Sequence, residues 1–225
     1  MGVGPLTSTP PYRIETERLV IRCYEPEDAP LLKAAVDSSI EHLLPWMPWA
    51  RFEPQSVEEK VQLCRMFRGQ FDLDDNYVYG IFSLDETEQL GGSGFHKRAN
   101  EGSLEIGYWV AAGAIGRGIA TEVAAVQTRA GFELSGLDRV DIQVEPTNER
   151  SLAIPRKLGF TEEGTLRRRL EPGEDEAPRR DSAIFTMLRE ELEGSPCMQF
   201  NYVAYDAVGD RLEGPRPVSD TGTKP

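Results

Sequence analysis

The sequence predicts a mixed α/β (α+β) fold, with a central, mostly antiparallel twisted sheet flanked by helices. Three observations carry this. Segments that alternate with the two-residue period of a strand interleave along the chain with segments of helical periodicity. Strand patterns at residues 77–84, 89–97 and 103–110 follow one another across short connections, as in an antiparallel meander. A glycine-punctuated stretch at residues 113–120 then separates a strand pattern from a strongly helical run.

In chain order, residues 1–11 carry Gly, Pro and Thr without periodicity and read as a flexible N-terminal arm. Residues 19–24 (LVIRCY) form a short strand, and Pro26 with Asp28 opens a first helix through Val36. Residues 41–49 (EHLLPWMPW) hold two tryptophans and two prolines, which suits a rigid loop better than a helix. Trp46 and Trp49 there either roof a pocket or cap the core. Ser56 and Glu59 have capping-box spacing for a helix to about Gln70. After the meander come a helix from Thr121 to about Leu134, a strand at 139–144 (RVDIQV), and a helix at 148–158 that Gly159 ends from the C′ position. Strands at 160–166 and 182–188, separated by the polar loop 171–180, complete one domain spanning residues 12–193. Residues 194–225 return to Gly, Pro and Asp and read as a partly disordered C-terminal extension.

Composition narrows the function. The chain has 225 residues, 39% hydrophobic and 28% charged, which is ordinary for a globular domain. Charged or polar residues interrupt every apolar run before the roughly 18 to 20 residues that a membrane span needs, and the start lacks a signal-peptide pattern. A cytoplasmic protein without a membrane partner is expected. The three cysteines, Cys23, Cys64 and Cys197, are odd in number and widely spaced, against a disulfide framework or a Cys-rich zinc site. With only His42 and His96 as histidines, no metal cofactor is expected. A formal charge of −13 disfavours nucleic acid and reads chiefly as solubility.

The chemistry concentrates in Ile115-Gly116-Arg117-Gly118-Ile119-Ala120, between a strand and a helix. Glycines allow a tight turn that points several amides at one anion, and the helix dipole adds to them. By itself Gly-x-Gly marks a tight turn as readily as a phosphate site. The Lys and Ser/Thr of a Walker A loop are missing, and the pattern does not extend to the dinucleotide-binding glycines. The segment resembles the acetyl-CoA loop of GNAT acetyltransferases, Gln/Arg-x-x-Gly-x-Gly/Ala. Gly118 and Ala120 match, Thr121-Glu122 follow as in the RimJ/RimL-like branch, and Ile115 replaces the usual leading Gln or Arg. EHLLPWMPW, SLEIGYWV, residues 145–151 (EPTNERS) and residues 157–160 (KLGF) fall in the order found in that branch. The resemblance covers about residues 12–193.

That resemblance implies the GNAT-type acyl-CoA N-acyltransferase fold, with acetyl-CoA as co-substrate and direct transfer of acetyl to a primary amine. It implies cofactor contacts from Ile115, Gly116, Arg117, Gly118, Ile119, Ala120 and Thr121, from the backbone of Tyr108, Trp109 and Val110, and from Asn148, which ordinary N-capping also explains. It makes Glu105 the first candidate base, with Glu41 behind it, and Ser151 the donor of a proton to the leaving thiolate. The strand alternation leaves open which face of residues 103–110 meets the pocket. His42, Trp46 and Trp49 are candidates for the acceptor site. The RimJ/RimL-like resemblance makes a protein or peptide N-terminal amine, ribosomal-protein-like, the expected acceptor, and an α-amine, at about 7.7 to 8.0, is deprotonated at lower cost than Lys near 10.4. A small-molecule amine, or a silent CoA-binding module, are the alternatives, and the chain is either monomer or homodimer.

Overall fold

The structure is a computed structural model that describes residues 9–97, 102–172 and 178–213. Most of the expected N-terminal arm, part of the loop 171–180 and the end of the extension lie outside the described residues. The first half comprises β1 (Arg13–Glu15), β2 (Leu19–Cys23), α1 (Ala29–Asp37), α2 (Ile40–Leu43), α3 (Val57–Asp72), β3 (Tyr77–Ser83), β4 (Gln89–His96) and β5 (Ser103–Val110). The second comprises α4 (Ile119–Glu133), β6 (Arg139–Val144), α5 (Glu149–Leu158), β7 (Thr161–Leu170), β8 (Arg180–Leu188), β9 (Val203–Tyr205) and β10 (Arg211–Leu212). All ten strands join one sheet in the order β10-β9-β1-β2-β3-β4-β5-β6-β8-β7.

Alternation along the strands sends side chains to two layers. On one face, α4 and α5 pack over Leu104, Ile106, Val140, Ile142 and Phe185. Twelve residues of α4 are buried, four of them the alanines 124, 125 and 130 and the glycine 131, which let the helix lie close to the sheet. On the other face, Leu32 and Val36 of α1 and Cys64 of α3 pack over Val20 and Phe82, with Trp49 and Trp109 at the margin. The capping box that starts α3 is formed: Glu59 N–H donates to Ser56 Oγ at 3.2 Å, and Ser56 N–H donates to Glu59 Oε2 at 2.7 Å. Gly159 ends α5 at φ +86°.

Three features differ from the sequence expectation. The tryptophan-rich segment is not a plain loop: α2 precedes Pro45, and Pro48 occupies the first turn of a 3-10 helix at Pro48–Phe52, where its missing N–H has no helical partner to lose. β1 is three residues long, too short to show alternation, and its place is set by β2 and β9 on either side. The extension is built into the fold as far as residue 213: β9 pairs with β1, Ala204 and Cys197 are buried, and an Asp206–Asp210 turn leads into β10.

Candidate functional site

β5 and β6 are the one parallel pair among the described strands, and they stay together only over Ser103–Arg139, Leu104–Val140 and Glu105–Asp141. Beyond that point β5 remains paired with β4 as far as Val110, and β6 with β8 as far as Val144. A wedge therefore opens between them. Ala111 N–H donates to Leu90 O at 2.8 Å, which fixes the phase of the ladder: the backbones of Gly107 and Trp109 turn toward β4, and those of Ile106, Tyr108 and Val110 toward the wedge. The Val110 carbonyl is held by His42 Nε2–H at 2.8 Å, so the amides of Tyr108 and Val110 are the donors this edge presents.

Past the wide end of the wedge the chain makes one 3-10 turn and enters α4 through Gly116 and Gly118, both at φ +77°. This left-handed backbone is easy only for glycine. The amides of residues 116–121 reach no protein acceptor among the described residues; the first helical bond of this end is Glu122 N–H to Gly118 O. Six successive amides at a helix entry form an anion cradle. Arg18 steadies it, donating to the Arg117 carbonyl at 3.1 Å and to Glu122 Oε2 at 2.9 Å, while Thr16 donates to Glu122 Oε1 at 2.6 Å.

Across the wedge, Asn148 caps α5 by accepting from Ser151 N–H at 3.2 Å. Pro155 lies four residues after Ser151 and lacks the amide that would bond the Ser151 carbonyl. Tyr108 Oη uses the opening, lying 3.5 Å from Ser151 O and 3.3 Å from Ser151 Oγ. Burial pushes the Tyr108 phenol up to about 12, against the opposing pull of the Ser151 hydrogen bond, so it stays a neutral donor.

A cleft of about 900 Å³ meets the wedge from the α1/α3 side. Its floor is the face of β5 carrying Glu105, Gly107 and Trp109, with Gly92, Gly94 and His96 opposite on β4. Trp49 meets Trp109 edge-on at 5.8 Å between ring centroids, and Trp46 also lines the cleft. Its rim is tied together by Arg180, which donates to Pro45 O at 3.0 Å, Trp46 O at 3.3 Å and Glu171 O at 2.8 Å and pairs with the Glu145 carboxylate. Beneath the 3-10 helix of residues 48–52, Lys60 and Glu53 form a buried ion pair with side chains 1% and 3% exposed.

Most sequence candidates thus gather around one wedge and one cleft. Glu105 lines the cleft and shares the face of Trp109, which packs on the α1/α3 layer, while Leu104 and Ile106 face the α4/α5 layer. Glu41 does not: it is exposed on α2. His42 lies outside the cleft lining and holds the Val110 carbonyl, so it braces the strand end. Trp109 contributes its indole to the cleft while its backbone belongs to the β4 ladder. Ile115 is 37% exposed at the outer edge of the turn. Sequence reasoning missed His96, Asn76 and Arg180. The period-two glycines at 92 and 94 were a signal for the first two, since glycine within a strand often marks the close approach of another group.

A sheet that parts between one parallel strand pair, with an amide cradle beyond the gap, defines an acyl-CoA acyltransferase type of fold. The acetyltransferase (GNAT) domain family matches residues 18–161, and the chain belongs to that family. It is an acetyl-CoA-dependent N-acetyltransferase. The chain is 27% identical to RimJ of Mycobacterium smegmatis, solved in complex with CoA-disulfide, with a TM-score of 0.72 and coverage of 85% of this chain and 95% of that one. It is 29% identical to YdaF of Bacillus subtilis over 79% of this chain and 95% of that protein. To the [ribosomal protein uS5]-alanine N-acetyltransferase of Escherichia coli it is 26% identical, over 72% of this chain and 84% of that protein. No helix among the described residues is long and apolar enough to cross a membrane.

Proposed function

We propose that the chain acetylates the N-terminal α-amine of a protein or peptide, by direct attack on acetyl-CoA in a ternary complex in the cytoplasm. The observation that carries this reading is the wedge between β5 and β6, which has strand-edge donors on one side, an amide cradle at its wide end and an open cleft on its other side. Gly116–Thr121 would hold the pyrophosphate, and the amides of Tyr108 and Val110 the extended pantetheine arm. The residues fit this ligand: the cradle offers neutral amide donors, with Arg117 on the same turn and the Arg18 guanidinium bonded to its carbonyl, and a β-like arm needs the strand edge that β6 leaves. Acetyl-CoA supplies an activated acetyl group and a thiolate leaving group. A fixed donor beside the developing oxyanion can lower the barrier by roughly 3 to 4 kcal/mol. The Tyr108–Ser151 hydroxyls would protonate the departing sulfur.

The open cleft suits an extended peptide end, and one relative is named as the N-acetyltransferase of an alanine of ribosomal protein uS5. Glu105 on its floor supplies negative charge toward a cationic amine. The test is acetyl-CoA-dependent thiol release with panels of N-terminal peptides, amino acids, polyamines and aminoglycosides. Peptides with a free α-amine are expected to give the highest kcat/KM, and blocking that amine is expected to abolish release. Preference for a small-molecule amine would overturn the acceptor assignment, and acetyl-CoA binding without turnover on any amine would leave a binding module.

A further inference from the structure

We propose that His96, oriented by Asn76, is the group that takes the proton from the acceptor amine. This rests on the acetyl-transfer reading of the cleft and goes beyond it by naming the proton acceptor and the residue that positions it. Asn76 Oδ1 lies 2.9 Å from His96 Nδ1. An amide oxygen only accepts, so Nδ1 carries the proton and Nε2 carries the lone pair. The imidazole lies flat on the glycine floor: a Cβ placed on Gly94 would come within 2.8 Å of Cε1, and one placed on Gly107 within 3.0 Å of Nε2. Any side chain at either glycine would therefore displace the ring. Gly107 immediately precedes Tyr108, whose amide faces the wedge, so Nε2 sits one residue from the strand edge that the thioester would follow.

One further observation fits a working base. Glu105 is the direct cross-strand partner of His96 on the same face, so the imidazolium formed on proton uptake has a carboxylate beside its strand position. Among the described residues, the other charged groups lining the cleft are the Glu53–Lys60 pair on the α3 side, Glu145 with Arg180 at the end of β6, and Arg169, Glu171 and Arg179 on the β7–β8 hairpin. Outside the cleft, Lys97 is engaged with the Asp74 carbonyl and the Tyr77 ring.

The step balances as follows. The ammonium of the acceptor gives one proton to His96 Nε2. The freed nitrogen lone pair forms the C–N bond as the C–S bond breaks with its electrons on sulfur, and the second N–H proton leaves the nitrogen. The Tyr108–Ser151 hydroxyls protonate the thiolate and are made good by that second proton, and His96 returns the first to solvent.

The experiment compares His96→Ala, His96→Gln, Asn76→Asp and Glu105→Gln with wild type, using the best amine from the thiol-release panel and measuring acetyl-CoA affinity separately. Activity of the wild-type protein on that amine tests the reading underneath; the variants then decide the base. His96→Ala is expected to lose about 100-fold or more in kcat/KM at pH 7 with acetyl-CoA affinity unchanged. The deficit is expected to shrink toward pH 9.5, where the α-amine arrives neutral, and added imidazole is expected to restore part of the rate. Asn76→Asp is expected to move the acid limb of the profile to higher pH, because a carboxylate at Nδ1 raises the affinity of Nε2 for its proton. Retention of activity within threefold by both His96 variants at pH 7, or a large loss confined to Glu105→Gln, would overturn the assignment. So would an acid limb that stays in place in Asn76→Asp.

Discussion

The surroundings of Ser151, the proposed proton donor, are shaped by a residue four positions away. Pro155 removes the amide that would occupy the Ser151 carbonyl, and Tyr108 approaches both oxygens of Ser151 from the strand below. A hydroxyl pair assembled in this way, with the phenol held neutral by burial, is fully protonated near neutral pH and so would enter the reaction as a donor. Ser151→Ala and Tyr108→Phe should each lower kcat by about 100-fold while changing acetyl-CoA affinity little, as read by steady-state kinetics beside a binding titration. Equal losses in the two parameters would place the pair in binding. Ser151 and Tyr108 were legible in the sequence because each sits in a motif. His96 was not, since its orientation comes from Asn76, twenty positions earlier, and from two glycines on different strands.

At the scale of elements, the cradle is local and the wedge is not. Gly116 and Gly118 adopt their left-handed conformation within a single turn, so the sequence displays the requirement directly. Gly118→Ala meets only the end of Arg18, at 3.9 Å, so its cost is conformational, about 1 to 2 kcal/mol. The same change should weaken acetyl-CoA binding, which urea unfolding and calorimetry can check together. The wedge depends on which neighbours β5 and β6 keep as they diverge, and no local pattern encodes that. Arg180 has the same character, joining a hairpin to the tryptophan segment across more than 130 positions. Arg180→Ala should raise KM for the acceptor several-fold and leave acetyl-CoA affinity as it was. Arg180→Lys should not restore it, because one ammonium cannot span the three carbonyls and the carboxylate that the guanidinium fork serves.

Across the whole molecule, the C-terminal segment matters more than its composition suggested. Gly, Pro and Asp punctuation concealed a strand pair that covers the β1 edge and a cysteine that is fully buried beside Leu158. A chain ending at Glu193 should unfold at a lower temperature and aggregate, since it exposes both that edge and the apolar surface under Cys197; an unchanged melting curve would contradict this. Glu86 ties the β3–β4 turn to Arg13 on β1 and Arg22 on β2. Burial alone would raise its carboxyl, but the two guanidinium bonds outweigh this and hold it below its ordinary value. Its contribution to stability is therefore complete above about pH 5 and is lost as pH falls through the lowered value. Glu86→Gln should flatten the dependence of the unfolding midpoint on pH below about 5.

Backbone amide resonances followed while acetyl-CoA is added show whether the wedge and the cradle hold the cofactor. The amides of residues 116–121, Tyr108 and Val110 should shift together and saturate with a single dissociation constant, while the Trp109 amide, bound in the β4 ladder, should move least along that strand. Saturable binding that leaves the 116–121 amides unmoved, or that shifts residues remote from the wedge, would contradict this placement of acetyl-CoA.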